Sequence, residues 1–384
     1  MLIGSDSQVR DFLRREDLDG FLLVGDSVSD PDLFYLSRFL SSDSFALLLS
    51  EQRTILVSPM ERGRALAEAT VDCVKTTGQY LYREKLQALG RTLAYPAVLR
   101  DFLQSQGVNS LGLADNAPAK IYKSLCQDFS VRLLECPAQD WRVEKSGSEV
   151  AAIEDVQRQG EGAMAVAVDM IRRSSPRGEV LELDGQPLTS EQVRSALEMR
   201  LLQGGCEAVD TIVCGGPEAA DPHRRGEGVL PANSPIVIDI FPRSRSSRYF
   251  ADMTRTVVRG EPSPEVLEMY RSVKEALQVG QRALKPGISG SMVHQAVSQA
   301  FLDMGYPVGD ERGFIHSTGH GVGLAVHERP SLGLCGEVLR AGNVVTVEPG
   351  LYFPGIGGVR LEDLVVISEN GHRNLTCFEK SLVV

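Results

Sequence analysis

Positive charge is in short supply in this sequence: 40 lysines and arginines stand against 51 acidic residues, a net charge of −11. That deficit argues against nucleic acid and anionic membrane as partners, because both are held by basic patches. Solvated helix faces rich in glutamate account for the acidic excess without any partner. Long apolar runs are missing too. None approaches the ~18 residues of a membrane-spanning helix. The opening stretch MLIGSDSQVRDFLRRE lacks a basic region followed by an apolar run, so no signal peptide is expected. The seven cysteines (Cys73, Cys126, Cys136, Cys206, Cys214, Cys335 and Cys377) are odd in number and form no CxxC pair. They suit reduced thiols in a cytoplasm better than a disulfide framework or a zinc–thiolate site. Histidine is sparse, six in 384 residues, and the first 140 residues have none. That half also lacks a glycine-rich phosphate loop and clustered carboxylates, so its expected role is structural, substrate-gating or oligomerising.

What is present is ordinary globular material, 42% hydrophobic and 24% charged, long enough for two domains of ~100–200 residues. FLLV (21–24), FALLLS (45–50), TILVSP (54–59), VDCV (71–74), LGLAD (111–115) and VRLLEC (131–136) read as strands. Helical patterns at 62–69, 81–106 and 118–129 alternate with them, the second broken at Gly90 and Pro96. Strand and helix in alternation predict an α/β domain over residues 1–140. A linker is expected near residues 137–145, where Trp141, the single tryptophan, reads as a partly buried hinge residue.

Residues 141–384 read differently. A long helix is expected over 148–173, a loop or hairpin over 174–188, and a helix opened by the capping box Thr189-x-x-Gln192 and closed at Gly204-Gly205. TIVCGG (211–216), PIVIDIFP (235–242) and YFADMTRTVV (249–258) read as strands, followed by helices over 264–284 and 289–304. NVVTVEPGLYF (343–353) and VRLEDLVVIS (359–368) read as a closing hairpin.

Within these strands stand acids that apolar neighbours do not explain: Asp239 in PIVIDIF, Asp252 in YFADMTR, Glu348 in VVTVEPG and Glu362 in VRLEDLVV. An unpaired carboxylate in a strand interior is strongly destabilising. Singly, each acid reads best as lying on a solvent face or pairing with Arg255 or Arg360. Four together, accompanied by the stretch FIHSTGHGVGLAVHE (314–328) with His316, His320 and His327, point to a bound cation. Glycine that dense disfavours helix and lets backbone pass close to a bound group; an incidental surface loop is the competing reading of that stretch. Carboxylates with one imidazole and no thiolate suit Mn²⁺ or Co²⁺, with Zn²⁺ or Fe²⁺ as further options, and are too many for one tetrahedral zinc. Two metals sharing bridging carboxylates would balance the charge and activate one water.

The positions Asp239, Asp252, His320, Glu348 and Glu362, in this order and in these motifs, resemble the pita-bread metallopeptidases, a family that includes methionine aminopeptidase, aminopeptidase P and prolidase. A weaker likeness at PDLFYLSRF (31–39) is similar to creatinase-type N-terminal domains, which points to the aminopeptidase P and prolidase branch. The resemblance implies an α/β (α+β) chain. A creatinase-like N-terminal domain (1–140) would precede a pita-bread catalytic domain (141–384), whose curved, mostly antiparallel sheet is covered by helices. It implies two divalent ions, Mn²⁺ first among the candidates, with Asp239 on one, Asp252 and Glu362 touching both, and His320 with Glu348 completing the other. The implied nucleophile is a bridging water or hydroxide, with Glu348 also the general base, His327 steadying the substrate carbonyl and His223 near the substrate amine and scissile amide. His316, Tyr352 and Arg360 match residues lining a proline pocket. His294 and His372 read as surface residues. A proline-containing peptide is the implied substrate and a homodimer the implied assembly.

This sequence departs from the family pattern in places. Twelve residues separate Asp239 from Asp252, two more than is common, so the basic turn FPRSRSS is expected to reach over the site or into a neighbouring subunit. Some prolidases carry a carboxylate-binding arginine four residues after the position of His327; here that position is Ser331, leaving Arg243 or Arg245 to serve. The expected activity is cleavage between an N-terminal residue and proline, in peptides of any length (aminopeptidase P type) or in dipeptides alone (prolidase type). A non-metal amidohydrolase such as creatinase would lack the acidic ligands, and a binding protein that had lost the chemistry would lack one or more of them; all five positions are filled here.

Overall fold

The computed structural model describes residues 6–309 and 311–384. The chain divides into two compact units, one ending at Arg142 and the other Val143–Val384. Among the described residues no helix is long and apolar enough to cross a membrane.

The first unit is a six-stranded mixed sheet. In chain order its strands are β1 (Gly20–Gly25), β2 (Phe45–Leu49), β3 (Arg53–Val57), β4 (Cys73–Thr76), β5 (Ser110–Ala114) and β6 (Ser130–Leu134), arranged β4-β3-β2-β1-β5-β6. β1, β2 and β3 pair antiparallel, and the outer pairs β3–β4, β1–β5 and β5–β6 are parallel. Central strands β1 to β3 are buried along nearly their whole length, which is why they read as continuous apolar runs. Leu22, Leu48, Leu56, Leu99, Phe102 and Leu111 are among the residues of the core on one side. The helical stretch Tyr82–Ser105 breaks at Gly90, with φ +72° and ψ 174°, while Pro96 sits inside the following helix without ending it. The strand expected at 71–74 lies two residues later, and the helix expected at 118–129 is shortened to Ala119–Leu125.

The second unit opens with the helix Gly147–Arg173, whose N-cap Ser146 exchanges hydrogen bonds with Glu149 in a capping box. Three short antiparallel strands over 175–187 form the expected hairpin region. The main strands are β7 (Ile212–Gly215), β8 (Ile236–Ile240), β9 (Met253–Val257), β10 (Gly319–Gly321), β11 (Glu328–Leu332), β12 (Val344–Val347), β13 (Gly350–Phe353), β14 (Gly357–Arg360), β15 (Asp363–Ser368) and β16 (Gly371–Asn374). They form sheets ordered β7-β8-β9, β11-β10-β12-β15-β16 and β13-β14, every pairing antiparallel. The helices Pro264–Ala283 and Gly290–Asp303 supply Val273, Ala276, Leu277, Val293, Val297 and Phe301 to a core shared with Val345, Val347, Leu351 and Val365. This is the pita-bread architecture, mixed α/β over the whole chain.

The closing hairpin is one long ribbon with a break in its middle. Val347 pairs with Asp363 below the break and Gly350 with Arg360 above it. Glu348-Pro349 and Leu361-Glu362 therefore face each other where the ladder is interrupted. Asp252 likewise lies just before β9, so only Asp239 is inside a strand. The acids read as strand-interior residues are thus mostly at strand ends, where departing backbone leaves room for a side chain.

A buried ion network ties the last residues to this sheet. Arg255 Nη2 donates to Asp363 Oδ1 at 3.0 Å, and Lys380 Nζ lies 2.8 Å from Asp363 Oδ2. Gln281 and Asn374 donate to the same carboxylate. Burial would raise the Asp363 pKa, but Arg255 and Lys380 outweigh it and hold it below the usual value. A depressed folded-state pKa stabilises the fold above the unfolded value of ~3.9 and is lost as pH falls through the folded value. Asp363→Asn should therefore cost about 3–5 kcal/mol at neutral pH, with the wild-type advantage shrinking below about pH 4. Chemical denaturation followed by circular dichroism across a pH series measures this; equal stability of the two proteins at pH 7 would refute it.

Candidate metal centre

The glycines around His320 have a steric cause. A Cβ at Gly319 would run into the Thr346 carbonyl, and one at Gly321 into the backbone of Glu328 and Arg329. Only residues without side chains let β10 pass between β11 and β12 here. His320, between them, projects towards the strand ends that carry the acids. Its backbone N–H donates to Thr346 Oγ1 at 3.0 Å, and the same hydroxyl donates to Glu348 Oε1 at 3.1 Å.

Asp239, Asp252, His320, Glu348 and Glu362 all line one cavity of about 810 Å³, together with His223, His316, His327 and Arg360. Ligand atoms of Asp252, His320 and Glu362 lie within 4.8 Å of one another. His320 Nε2 is 3.2 Å from Glu348 Oε1 and 3.8 Å from Asp252 Oδ2. Asp239 is brought in by register: it pairs with Thr254 across β8 and β9, and Thr254 Oγ1 donates to Glu362 Oε2 at 2.7 Å.

Electrostatics show what this cluster requires. Burial, then the charges of Glu362, Asp239 and Glu348, push the Asp252 pKa well above the usual carboxylate range. Burial with Glu348 and Asp239 does the same to Glu362. Glu348 goes the other way: burial would raise it, but the hydrogen bond and charge of His320 outweigh burial and hold it at about 2. The His320 pKa rises correspondingly, Glu348 overcoming its burial. Asp239 Oδ1 and Glu362 Oε1 are buried without a hydrogen-bond partner among the described residues. Four carboxylates facing one guanidinium and one imidazole, with two oxygens orphaned, fit a site for divalent cations. Oxygen donors with one nitrogen and no thiolate suit a divalent cation.

Arg360 organises one side of the site. It is 3% exposed and donates through Nη2 to Asp239 Oδ2 at 2.6 Å, through Nη1 to Tyr352 Oη at 2.8 Å and through Nε to Thr254 Oγ1 at 3.1 Å. Tyr352 Oη meets His316 Nε2 at 3.0 Å, and His316 Nδ1 donates to the Ser317 carbonyl at 2.8 Å. Tyr352 is thus behind the cavity wall, linking His316 to Arg360. Burial raises the Tyr352 pKa to about 12 and lowers that of His316.

His327 stands at the mouth, its ring edge-on to His320 at 4.2 Å. Partial enclosure and the neighbouring His320 lower its pKa. The loop bearing it is held by Glu328, which accepts from the Ala325 N–H and forms a buried pair with Lys145 at 2.6 Å. His223 is exposed on the loop after β7.

Other expectations need correction. His294 is not a surface residue: it is 9% exposed, with Nδ1 3.0 Å from Thr318 Oγ1 and its ring against Phe314. The Thr318 carbonyl in turn accepts from the Glu348 N–H, so His294 supports the backbone under that acid. The apolar side of an amphipathic helix takes in a histidine when one hydroxyl partners it, a pairing 24 residues away that periodicity does not reveal. His372 is exposed. In the basic turn after Asp239, Phe241 lines the cavity, while Arg243 and Arg248 both bond Glu207 and the Phe250 N–H donates to the Gly323 carbonyl. Neither Arg243 nor Arg245 lines the cavity. Thr254 and Thr346 are site residues that the sequence expectations above leave out, although each stands two residues from an acid.

The chain matches the family model described as Metallopeptidase family M24 over residues 151–369 and the Creatinase/Prolidase N-terminal domain over residues 7–139. It is 28% identical over 384 residues to the Xaa-Pro dipeptidase of Pyrococcus horikoshii, covering 98% of this chain and 97% of the relative. Among solved structures it resembles the prolidase from Pyrococcus horikoshii, with a TM-score of 0.81, 27% identity, and 98% and 99% of the two chains covered. The X-Pro aminopeptidase from Thermotoga maritima gives a TM-score of 0.81 at 26% identity, covering 99% of each chain.

Arg360→Lys keeps the charge but loses the planar group that holds Asp239, Tyr352 and Thr254 at once. Divalent-cation affinity should fall about 10–100-fold, the usual cost of losing a partner that orients a ligand. Calorimetric titration with Mn²⁺ measures it, and an affinity within twofold of wild type would exclude this role.

Proposed function

The chain belongs to metallopeptidase family M24, and on that premise we propose that it hydrolyses the bond between an N-terminal residue and proline. The observation that carries this reading is the convergence of Asp239, Asp252, His320, Glu348 and Glu362 on one cavity, with more buried negative charge than the protein itself neutralises. In the proposal these five residues would hold two divalent ions, Mn²⁺ first, with Co²⁺, Zn²⁺ or Fe²⁺ as substitutes. Such ions supply Lewis acidity and bring a water within reach of ionisation at neutral pH.

The remaining steps fall to the chain's own groups. Glu348, the acid whose pKa is held down, is ionised and takes up the attacking water's proton, then passes it towards the proline nitrogen as the amide breaks. His327, its pKa lowered, is neutral near pH 7 and donates an N–H to the oxyanion that develops on the carbonyl. His223 sits near the substrate's amine. His316 offers the proline ring an imidazole whose orientation is fixed by Ser317 and Tyr352. Arg360 lines the cavity beside Asp239, and Tyr352 acts from behind the wall. An Xaa-Pro amide has no N–H and its ring excludes extended binding, which is why a shaped pocket beside the reacting groups suits it.

Residues 141–384 carry the chemistry in this reading, and residues 1–140 gate the site or join two chains as a homodimer. The seven cysteines are all free thiols, which supports a cytoplasmic location.

Mn²⁺-loaded protein is expected to cleave an Xaa-Pro dipeptide, or the same residues extended as Xaa-Pro-Yaa-Yaa, and to lose this activity with chelator. Replacing Asp252 or His320 by alanine should abolish turnover; retained activity in either would remove it from the ligand set. His327→Ala should lower kcat about 10²–10³-fold with little change in KM, read from steady-state kinetics. No cleavage of either peptide with any of the four metals would end the Xaa-Pro reading.

A further inference from the structure

We propose that the buried pair Lys145–Glu328 is a positioning device for His327, locking the short loop 323–328 so that the imidazole meets the reacting carbonyl. The inference rests on the role given to His327 above and adds the groups that set its aim.

The cavity is lined by three imidazoles from the stretch that carries His320, and they are held differently. His316 Nδ1 meets the Ser317 carbonyl and Nε2 meets Tyr352 Oη. His320 Nδ1 meets the Gly321 carbonyl at 3.2 Å, and Nε2 lies 3.2 Å from Glu348 Oε1. No hydrogen bond from a described residue reaches the His327 ring, which packs edge-on against His320. The direction in which that ring points is therefore set by its backbone.

That backbone is held at both ends. Glu328 folds back across the loop: its carboxylate packs so closely on Gly323 that a Cβ there would strike it, and it accepts from the Ala325 N–H at 3.2 Å. The same carboxylate receives Lys145 Nζ at 2.6 Å, the two side chains being 6% and 1% exposed. Lys145 has a fixed root. Its N–H donates to the Gly342 carbonyl at 2.9 Å, and Gly342, with φ +88°, has no room for a side chain beside the Lys145 carbonyl. At the other end, the Gly323 carbonyl accepts from the Phe250 N–H at 2.8 Å, and the preceding Tyr249 donates through Oη to Glu149 at 2.6 Å. Lys145 and Glu149 stand on either side of Ser146, the N-cap of the helix Gly147–Arg173. One helix start thus grips the loop from both directions.

Neither Lys145 nor Glu328 lines the cavity. A buried ion pair adds little net stability over apolar residues of the same size, because desolvating both charges offsets their attraction. What it supplies is a short, directional contact that admits one arrangement of the loop. A donor to a developing oxyanion is effective only when it stands in place before the reaction, and a misplacement of about 1 Å costs on the order of 100-fold.

The experiment uses the full-length protein and the double variant Lys145→Met/Glu328→Gln, which leaves no buried charge unpaired, each with and without His327→Ala. Loaded with Mn²⁺, they are assayed on an Xaa-Pro dipeptide and on Xaa-Pro-Yaa-Yaa. The double variant should lose about 10–100-fold in kcat, with KM and Mn²⁺ affinity within about twofold of wild type. In the His327→Ala background the same change should lower kcat no further, because the pair acts through that ring. Histidine labelled with nitrogen-15 gives a second readout in the metal-free protein. The His327 resonances, assigned by their absence from His327→Ala, should shift in the double variant while those of His316 stay. Glu328→Asp keeps both charges but shortens the reach; it should follow the same pattern and serves if the double variant does not fold. A kcat within twofold of wild type, an equal fall in both backgrounds, or unmoved His327 resonances would each overturn the proposal. A wild type that cuts neither peptide ends the Xaa-Pro reading, and the resonances then decide by themselves whether the pair positions His327.

Discussion

Four carboxylates forced into one cavity are the constraint on which this structure depends. Asp239, Asp252, Glu348 and Glu362 come from separate places in the chain, and each would be tolerable alone on a strand's solvent face. Buried together, Asp252 and Glu362 are pushed towards their protonated forms, first by burial and then by repulsion from the neighbouring acids. The fold has one buried arginine and one histidine to set against them, and these serve different acids: Arg360 holds Asp239, and His320 holds Glu348. Asp252 and Glu362 are the acids left least compensated by protein groups, and they are the two expected to touch both metals.

The surrounding scaffold keeps that repulsion from pulling the site apart. Interruption of the long closing ribbon puts Glu348 and Glu362 opposite each other, and the hydroxyls of Thr254 and Thr346 donate to Glu362 and Glu348 respectively. Beneath them, helices Pro264–Ala283 and Gly290–Asp303 give the sheet an apolar support, through which His294 reaches Thr318 and the backbone of Glu348. On the other flank a hydrogen-bonded path runs from His316 through Tyr352 and Arg360 to Asp239. The wall expected to take the proline ring is therefore mechanically continuous with a candidate metal ligand.

Much of this is legible in the sequence, for reasons that can be named. Asp239 is conspicuous because β8 is otherwise apolar, and the glycines around His320 are conspicuous because they spoil helix and strand alike. The alternation of Thr254 with Asp252, and of Thr346 with Glu348, is equally visible at a spacing of two. An acid flanked by apolar residues reads as lying inside a strand, yet three of the four lie at strand ends, where regular pairing gives way to bends that propensity does not encode. His294 reads as a surface residue because a lone histidine on an amphipathic helix has no local signal for a hydroxyl partner on another element. Arg243 and Arg245 look available because no acid stands beside them in FPRSRSS; Glu207, which occupies Arg243, is 36 residues away.

The sequence by itself determined the identity and order of the candidate ligand residues, the two-part α/β plan and the class of chemistry, because residue type and spacing along the strands fix donor atoms and faces. Tertiary structure decided which charges remain available. Whether an arginine is consumed inside the fold, as Arg360 is by Asp239, Tyr352 and Thr254, depends on partners brought together from across the chain. Those partners meet only when antiparallel strands set their register and the closing ribbon breaks, and neither event is written in any local stretch of residues.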